Sequence, residues 1–142
     1  MSSISGLLAI ALYLTTSGML VMRLARGAVE NGAGRTRILL IGTAAVLIHA
    51  ALLYPSILTE SGLNLGFFNA ASLIALLTAA LLLVATFREP VENLGIAVFA
   101  VAAVSIGLLL LYPATSPGSS LSWQLQTHIL ISLLAYSILG LA

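Results

Sequence analysis

The sequence contains no cysteine, no lysine and no aspartate, and only two histidines among its 142 residues. Without cysteine the chain cannot form a disulfide, ligate an iron–sulfur cluster or a cysteine-bound zinc, or carry the Cys-x-x-Cys-His motif that attaches haem covalently. Charged residues make up 6% of the chain, against about 25% in an average soluble protein. The formal net charge of +1 provides no basic surface of the kind that binds nucleic acid.

Apolar residues dominate instead, with 61% hydrophobic residues and a mean hydropathy of +1.18. A lipid bilayer is the solvent that accommodates such a composition, and the backbone that spans it must satisfy its own hydrogen bonds. Because no alternating barrel pattern is present, we expect an all-α, polytopic transmembrane helix bundle. It would form a single domain over residues 1–142, with five spans and with Pro55 ending or kinking the second. The spans are predicted near 4–22, 38–54, 65–87, 94–112 and 123–142.

The positions of the arginines predict the topology. Four of the five lie in the connection 23–37, and Arg88 begins the connection 88–93. The positive-inside rule therefore places these two connections in the cytoplasm, and the N-terminus and the connections 55–64 and 113–122 outside a bacterial inner (plasma) membrane. The N-terminal stretch MSSISGLLAI lacks the basic start of a signal peptide, which predicts a retained helix. The last span ends without a charged anchor, from which we expect the N-terminal part of a longer protein.

Two histidines, His49 and His128, lie inside predicted spans, whereas every arginine and glutamate falls in a connection or at a span end. Ionisable residues in such positions are functional-site candidates. Each histidine lies five residues from an aromatic residue at the outer end of its span, Tyr54 or Trp123, which places both roughly 7–8 Å below the outer interface. If the second and fifth spans touch, two imidazoles at this depth suit the two axial positions of haem iron. Zinc would require three or four ligands.

Simpler interpretations of the same residues stay open. A histidine in a membrane often only hydrogen-bonds a neighbouring helix, and Ser132, four residues after His128, could satisfy one of its ring nitrogens. Tyr136 continues the same helical ridge. Asn69, at a similar depth in the third span, would hydrogen-bond an imidazole and so orient it as a ligand. In the simpler interpretation Asn64 is the N-cap of the third span, and Asn69 forms a hydrogen bond to a neighbouring helix. Close helix contact is expected at Gly18, Gly42 and Gly107, and interfacial anchoring at Tyr54, Tyr112 and Trp123.

Three stretches carry a family resemblance: LIHAALLY in the second span, NLGFFNAASLIALL in the third and WQLQTHILISLLAYSIL in the fifth. With them the chain resembles the N-terminal part of the cytochrome c assembly membrane protein family. This family comprises the CcsA-type haem-handling proteins and their HemX-like and YpjD-like relatives, and the resemblance is above all to the YpjD-like branch. It implies that His128 is an axial ligand of haem iron and that the second ligand lies on a later helix. His49 resembles a histidine of the YpjD-like branch and carries over more weakly.

The function implied by the resemblance is haem binding or haem handling in cytochrome c assembly. His128 would be an axial ligand, Asn69 and Tyr136 would shape the pocket, and His49 would be the weaker candidate ligand. No covalent chemistry is expected from these residues. The expected partners are the lipid bilayer and other cytochrome c maturation or membrane-complex subunits, and no nucleic acid. The alternative is a haem-free accessory or scaffolding subunit that binds another membrane protein. Small-molecule transport comes third, since the first span lacks the glutamate of small exporters.

Overall fold

Five helices form at the positions of the five predicted spans. The computed structural model describes residues 3–27, 32–59, 62–112 and 122–142. A short antiparallel pair of strands lies between α2 and α3, and a 3-10 turn at Glu92–Leu94 leads into α4. The predicted all-α bundle is therefore confirmed. The helices are α1 (Ser3–Ala25), α2 (Gly32–Ile57), α3 (Phe67–Ala85), α4 (Gly95–Leu111) and α5 (Trp123–Leu139), and the strands are β1 (Leu58–Thr59) and β2 (Gly62–Leu63).

Four stretches of the described residues are long and apolar enough to cross a membrane: α1, most of α2, α3, and the stretch Glu92–Leu111 that contains α4. The sequence predicts five. The difference is α5, which has 17 residues and is therefore about 25 Å long, short of the hydrocarbon core of about 30 Å. Its first two turns also contain Gln124, Gln126 and Thr127 in place of apolar residues.

The helices α1 to α4 form a ring in which each packs against the next and α4 closes the ring against α1. Between α1 and α4, the hydroxyl of Ser17 donates to the carbonyl of Ile96 at 2.8 Å. The core of this ring combines six alanines with eight larger apolar residues, and the alanines allow the helices to approach closely. It includes Ala9, Tyr13, Leu20, Ala45, Ala79, Leu82, Phe99, Ala102 and Ile106. The fifth helix lies outside the ring and packs against α3.

The second helix continues two residues past Pro55, which the sequence predicts as a stop or a kink. Proline has no N–H to donate to the carbonyl one turn earlier, so Pro55 removes one hydrogen bond from the last turn, and the helix ends two residues later at Ile57. The chain then reverses through β1 and β2, where Leu58 pairs with Leu63. This hairpin leads directly into α3.

The two ends of the ring differ in chemistry. At one end, which we call the arginine end, the guanidinium of Arg35 pairs with the carboxylate of Glu92 and donates to the carbonyl of Thr86. These contacts join the connections 23–37 and 88–93, which the sequence predicts on one side of the membrane. At the other end, the aromatic end, the three aromatic side chains that the sequence predicts as interfacial anchors are exposed. They are Tyr54, Tyr112 and Trp123.

Of the three glycines predicted to lie at close helix contacts, only Gly42 does so. A Cβ on Gly42 would lie 3.4 Å from Phe99 and Thr16, whereas Gly18 and Gly107 have nothing within 4 Å, so the prediction was wrong for these two. The tightest contacts involve Gly6, where a Cβ would lie 2.8 Å from Leu110, and Gly95, where it would lie 2.8 Å from side-chain atoms of both Leu20 and Phe99. Uniformly apolar helices give no periodic signal that shows which of their glycines face a neighbour.

We expect Gly95→Ala to lower the free energy of unfolding by about 1–3 kcal/mol, because the added methyl group overpacks the contact with α1. Leu20 can rotate away, but the ring of Phe99 is stacked on Tyr13 and has little room. The matched control is Gly18→Ala, for which we expect unchanged or slightly higher stability. Thermal unfolding of both variants in the same detergent checks this, and equal midpoints would contradict the close approach at Gly95.

Candidate functional site

His49 lies at the centre of a buried hydrogen-bond network that joins three helices. It is 0% exposed, its Nδ1 lies 3.2 Å from the hydroxyl of Tyr13 on α1, and its Nε2 lies 2.8 Å from the hydroxyl of Ser72 on α3. A neutral imidazole has one donor and one acceptor nitrogen, and each hydroxyl serves in either role. Both tautomers therefore satisfy the network, which we call the buried triad.

The ring of Tyr13 is fixed from two sides. It stacks on Phe99 of α4 with the centroids 5.7 Å apart and meets the imidazole of His49 edge-on at 5.8 Å. Tyr13 and Ser72 are themselves 0% exposed. The triad thus connects α1, α2 and α3 through polar atoms, and the aromatic stack adds α4.

Asn69 ties the start of α3 to the end of α2. Its Nδ2 donates to the carbonyl of Ser56 at 3.0 Å and to the carbonyl of Asn64 at 2.9 Å. The carbonyl of Ser56 is among those that a helix C-terminus leaves without a partner inside the helix. Two carbonyls on one side of the amide fix its orientation, and the Oδ1 on the other side has no partner among the described residues. Asn69 therefore makes the interhelical contact of the simpler interpretation and hydrogen-bonds neither histidine.

Asn64 was predicted as the N-cap of α3, and this prediction was wrong by two residues. The N-cap is Gly66, which has no side-chain cap. The Oδ1 of Asn64 instead accepts a hydrogen bond from the N–H of Gly66 at 3.2 Å. This side chain forms an Asx turn, which directs the chain from the hairpin into α3.

His128 lies on the face of α5 that points away from α3. Its side chain is exposed, whereas Leu133 and Ser137 on the opposite face are buried. The hydroxyl of Ser132 donates to the backbone carbonyl of His128 at 2.8 Å and leaves the imidazole without this partner. Tyr136 is 63% exposed. The predicted ridge of His128, Ser132 and Tyr136 is therefore present, and it faces the surroundings of the bundle.

The structure does not bring His49 and His128 together. The second helix packs against α1 and α3, and α5 packs against α3. An axial ligand needs a ring nitrogen without another partner; His128 meets this condition, and both nitrogens of His49 are hydrogen-bonded. The residues that the structure describes thus offer haem one fitting histidine. Within the same residues no group of three or more His, Cys, Asp or Glu side chains could hold a metal ion.

Sequence reasoning missed Tyr13, although a signal was present. Tyr54 and Tyr112 lie at helix ends, whereas Tyr13 lies in the middle of a predicted span. A tyrosine at that depth has no water for its hydroxyl and must find a protein partner. The same requirement on His49 makes the two residues candidates for each other.

These features define the class as an all-α membrane protein with a four-helix ring, a peripheral fifth helix and a buried polar triad. Comparison of the chain with protein-family models, with curated proteins and with solved structures finds no match.

Proposed function

We propose that the chain binds or handles haem at the aromatic end of the bundle in cytochrome c assembly, with His128 as one axial ligand. The observation that carries this proposal is the exposed imidazole of His128 on the free face of α5. The sequence motif around His128, with Tyr136 eight residues later, supports the same assignment through its resemblance to the family.

An imidazole that faces lipid at this position is unfavourable in free energy, and binding of a ligand would offset this cost. His128 lies in the second turn of α5, five residues after Trp123, and a polar side chain at that depth is costly when it faces only lipid. Haem iron would take one ring nitrogen, and haem would supply the redox-active metal for the cytochrome. The chain itself would hold and orient the group, with Tyr136 on the same ridge and the second axial ligand from outside the described residues.

His128→Ala is the variant that tests the proposal. We expect the full chain, purified in mild detergent, supplied with haem and then freed of unbound haem, to show a Soret band that is mostly lost in this variant, because haem without this axial ligand is retained poorly. The matched control is Gln124→Ala, one helical turn earlier and also exposed, which keeps the band. A protein without a Soret band, or one whose band His128→Ala leaves unchanged, would remove the haem assignment.

The second candidate is a haem-free accessory subunit, and the structure of α5 favours it specifically. This helix packs against α3 and buries only Leu133 and Ser137, so most of its surface is free for another membrane protein. In that case His128 hydrogen-bonds a partner helix. Spectra without a Soret band, together with weaker association with a co-purified membrane protein in His128→Ala, would select this function.

A further inference from the structure

The arginine end carries more positive charge than the described residues neutralise. Arg35 is held by Glu92 and by the carbonyl of Thr86, which leaves four other arginines that form no ion pair with a described carboxylate. Arg88 is followed directly by Glu89, an exposed carboxylate that offsets its charge. The remaining three lie where α1 ends and α2 begins: Arg23, Arg26 and Arg37.

These three arginines lie at the same end of the bundle. Arg23 lies in the last turn of α1 and Arg26 in the turn that follows it, while Arg37 lies in the second turn of α2. The two helices pack against each other. The guanidinium groups therefore extend from neighbouring helix ends at the same end of the bundle.

Exposed apolar side chains accompany the arginines. Val21, Met22 and Leu24 are 47%, 52% and 57% exposed around Arg23, and Leu40 is 64% exposed three residues after Arg37. A dissolved anion would contact only the guanidinium groups. A phospholipid would contact both the arginines and the apolar side chains. Its acyl chains would cover the apolar residues, and its phosphate would lie at the level of the arginines.

We propose that Arg23, Arg26 and Arg37 form a binding site for the headgroup phosphate of an anionic phospholipid. Guanidinium groups bind phosphate oxygens through paired N–H donors. The charge of an anionic lipid is uncompensated, whereas a zwitterionic lipid carries its own ammonium group. The site therefore distinguishes phosphatidylglycerol from phosphatidylcholine, and it is independent of haem and of His128.

The test uses the full chain in a neutral detergent, with binding of phosphatidylglycerol and phosphatidylcholine measured by native mass spectrometry. We expect preferential binding of phosphatidylglycerol, with a loss of about fivefold in affinity for each arginine replaced by glutamine. The triple variant R23Q/R26Q/R37Q would lose on the order of 100-fold. The matched control is Arg88→Gln, which removes the same charge at the same end and leaves the affinity close to that of the unaltered chain.

Two further arms separate the outcomes. Thermal unfolding without added lipid shows whether the triple variant is folded, and if it is not, the single variants Arg26→Gln and Arg37→Gln carry the test. Inorganic phosphate at the same concentration is expected not to displace phosphatidylglycerol. The proposal is overturned if the arginine variants bind phosphatidylglycerol as well as the unaltered chain does, if Arg88→Gln loses as much, or if inorganic phosphate competes equally.

Discussion

Replacing His49 by alanine is expected to lower the free energy of unfolding by about 3–5 kcal/mol, from two sources of unequal size. Interhelical hydrogen bonds in membranes contribute about 0.6 kcal/mol each on average, so the two bonds to Tyr13 and Ser72 account for only about 1 kcal/mol. The cavity left by a fully buried ring adds about 2–4 kcal/mol. Unfolding in detergent, followed by the loss of helical circular dichroism, measures the total.

A double-mutant cycle isolates the hydrogen-bond part of this effect. Tyr13→Phe removes the hydroxyl and keeps the ring that stacks on Phe99, so we expect it to cost about 0.6 kcal/mol with His49 present and less in the His49→Ala background. An equal cost in both backgrounds would contradict the bond between Tyr13 and His49. The matched control for the histidine itself is His128→Ala, which replaces an exposed imidazole and leaves the stability of the bundle nearly unchanged.

Replacing Asn69 by aspartate is expected to destabilise the protein by about 3 kcal/mol or more, although the two side chains have the same shape. The Nδ2 group donates two hydrogen bonds to the carbonyls of Ser56 and Asn64. Aspartate offers at most one proton in the same place, so at least one buried carbonyl loses its donor and faces an oxygen instead. Thermal unfolding of the purified variant gives the size of the effect.

Two control variants test whether the destabilisation by Asn69→Asp comes from the loss of the Nδ2 donor. Asn69→Ala removes both hydrogen bonds but introduces no oxygen, and we expect a smaller loss, about 2 kcal/mol. Asn93→Asp makes the same chemical change at an exposed position at the arginine end, where we expect a change within about 0.5 kcal/mol. An Asn69→Asp variant as stable as Asn93→Asp would contradict the geometry of the amide.

The sequence was sufficient to predict the helices but not the contacts between them. Length and hydropathy place four helices within three residues of their ends in the structure, because a membrane allows its spanning backbone few alternatives. The exception is α2, which begins at Gly32, six residues before its predicted start. The same uniform hydropathy hides which face of each helix is buried. Depth places His49 and His128 at the same level, but the direction of a side chain around its helix depends on packing. His49 therefore points into the ring, and His128 points away from it.

Polar contacts between segments far apart in the chain could not be predicted from the sequence either. Arg35 and Glu92 lie in two connections of mixed composition, and nothing in either one distinguishes this arginine from its three neighbours. The contact depends on α2 and α4 lying in one ring, which only the assembled bundle determines. Asn69 shows the same limit, since its two acceptors are backbone carbonyls and any residue type could supply them.

The peripheral position of α5 has a consequence for the order in which the protein assembles. The ribosome delivers the helices to the membrane one after another, and segments made first can fold before the rest is synthesised. The ring of α1 to α4 is closed by contacts between α4 and α1, and no residue of α5 belongs to its buried core or to the buried triad. Both can therefore form before α5 leaves the ribosome. The helix that carries His128 then attaches to a finished surface. Changes in α5 can therefore accumulate during evolution with little effect on whether the first four helices insert and fold.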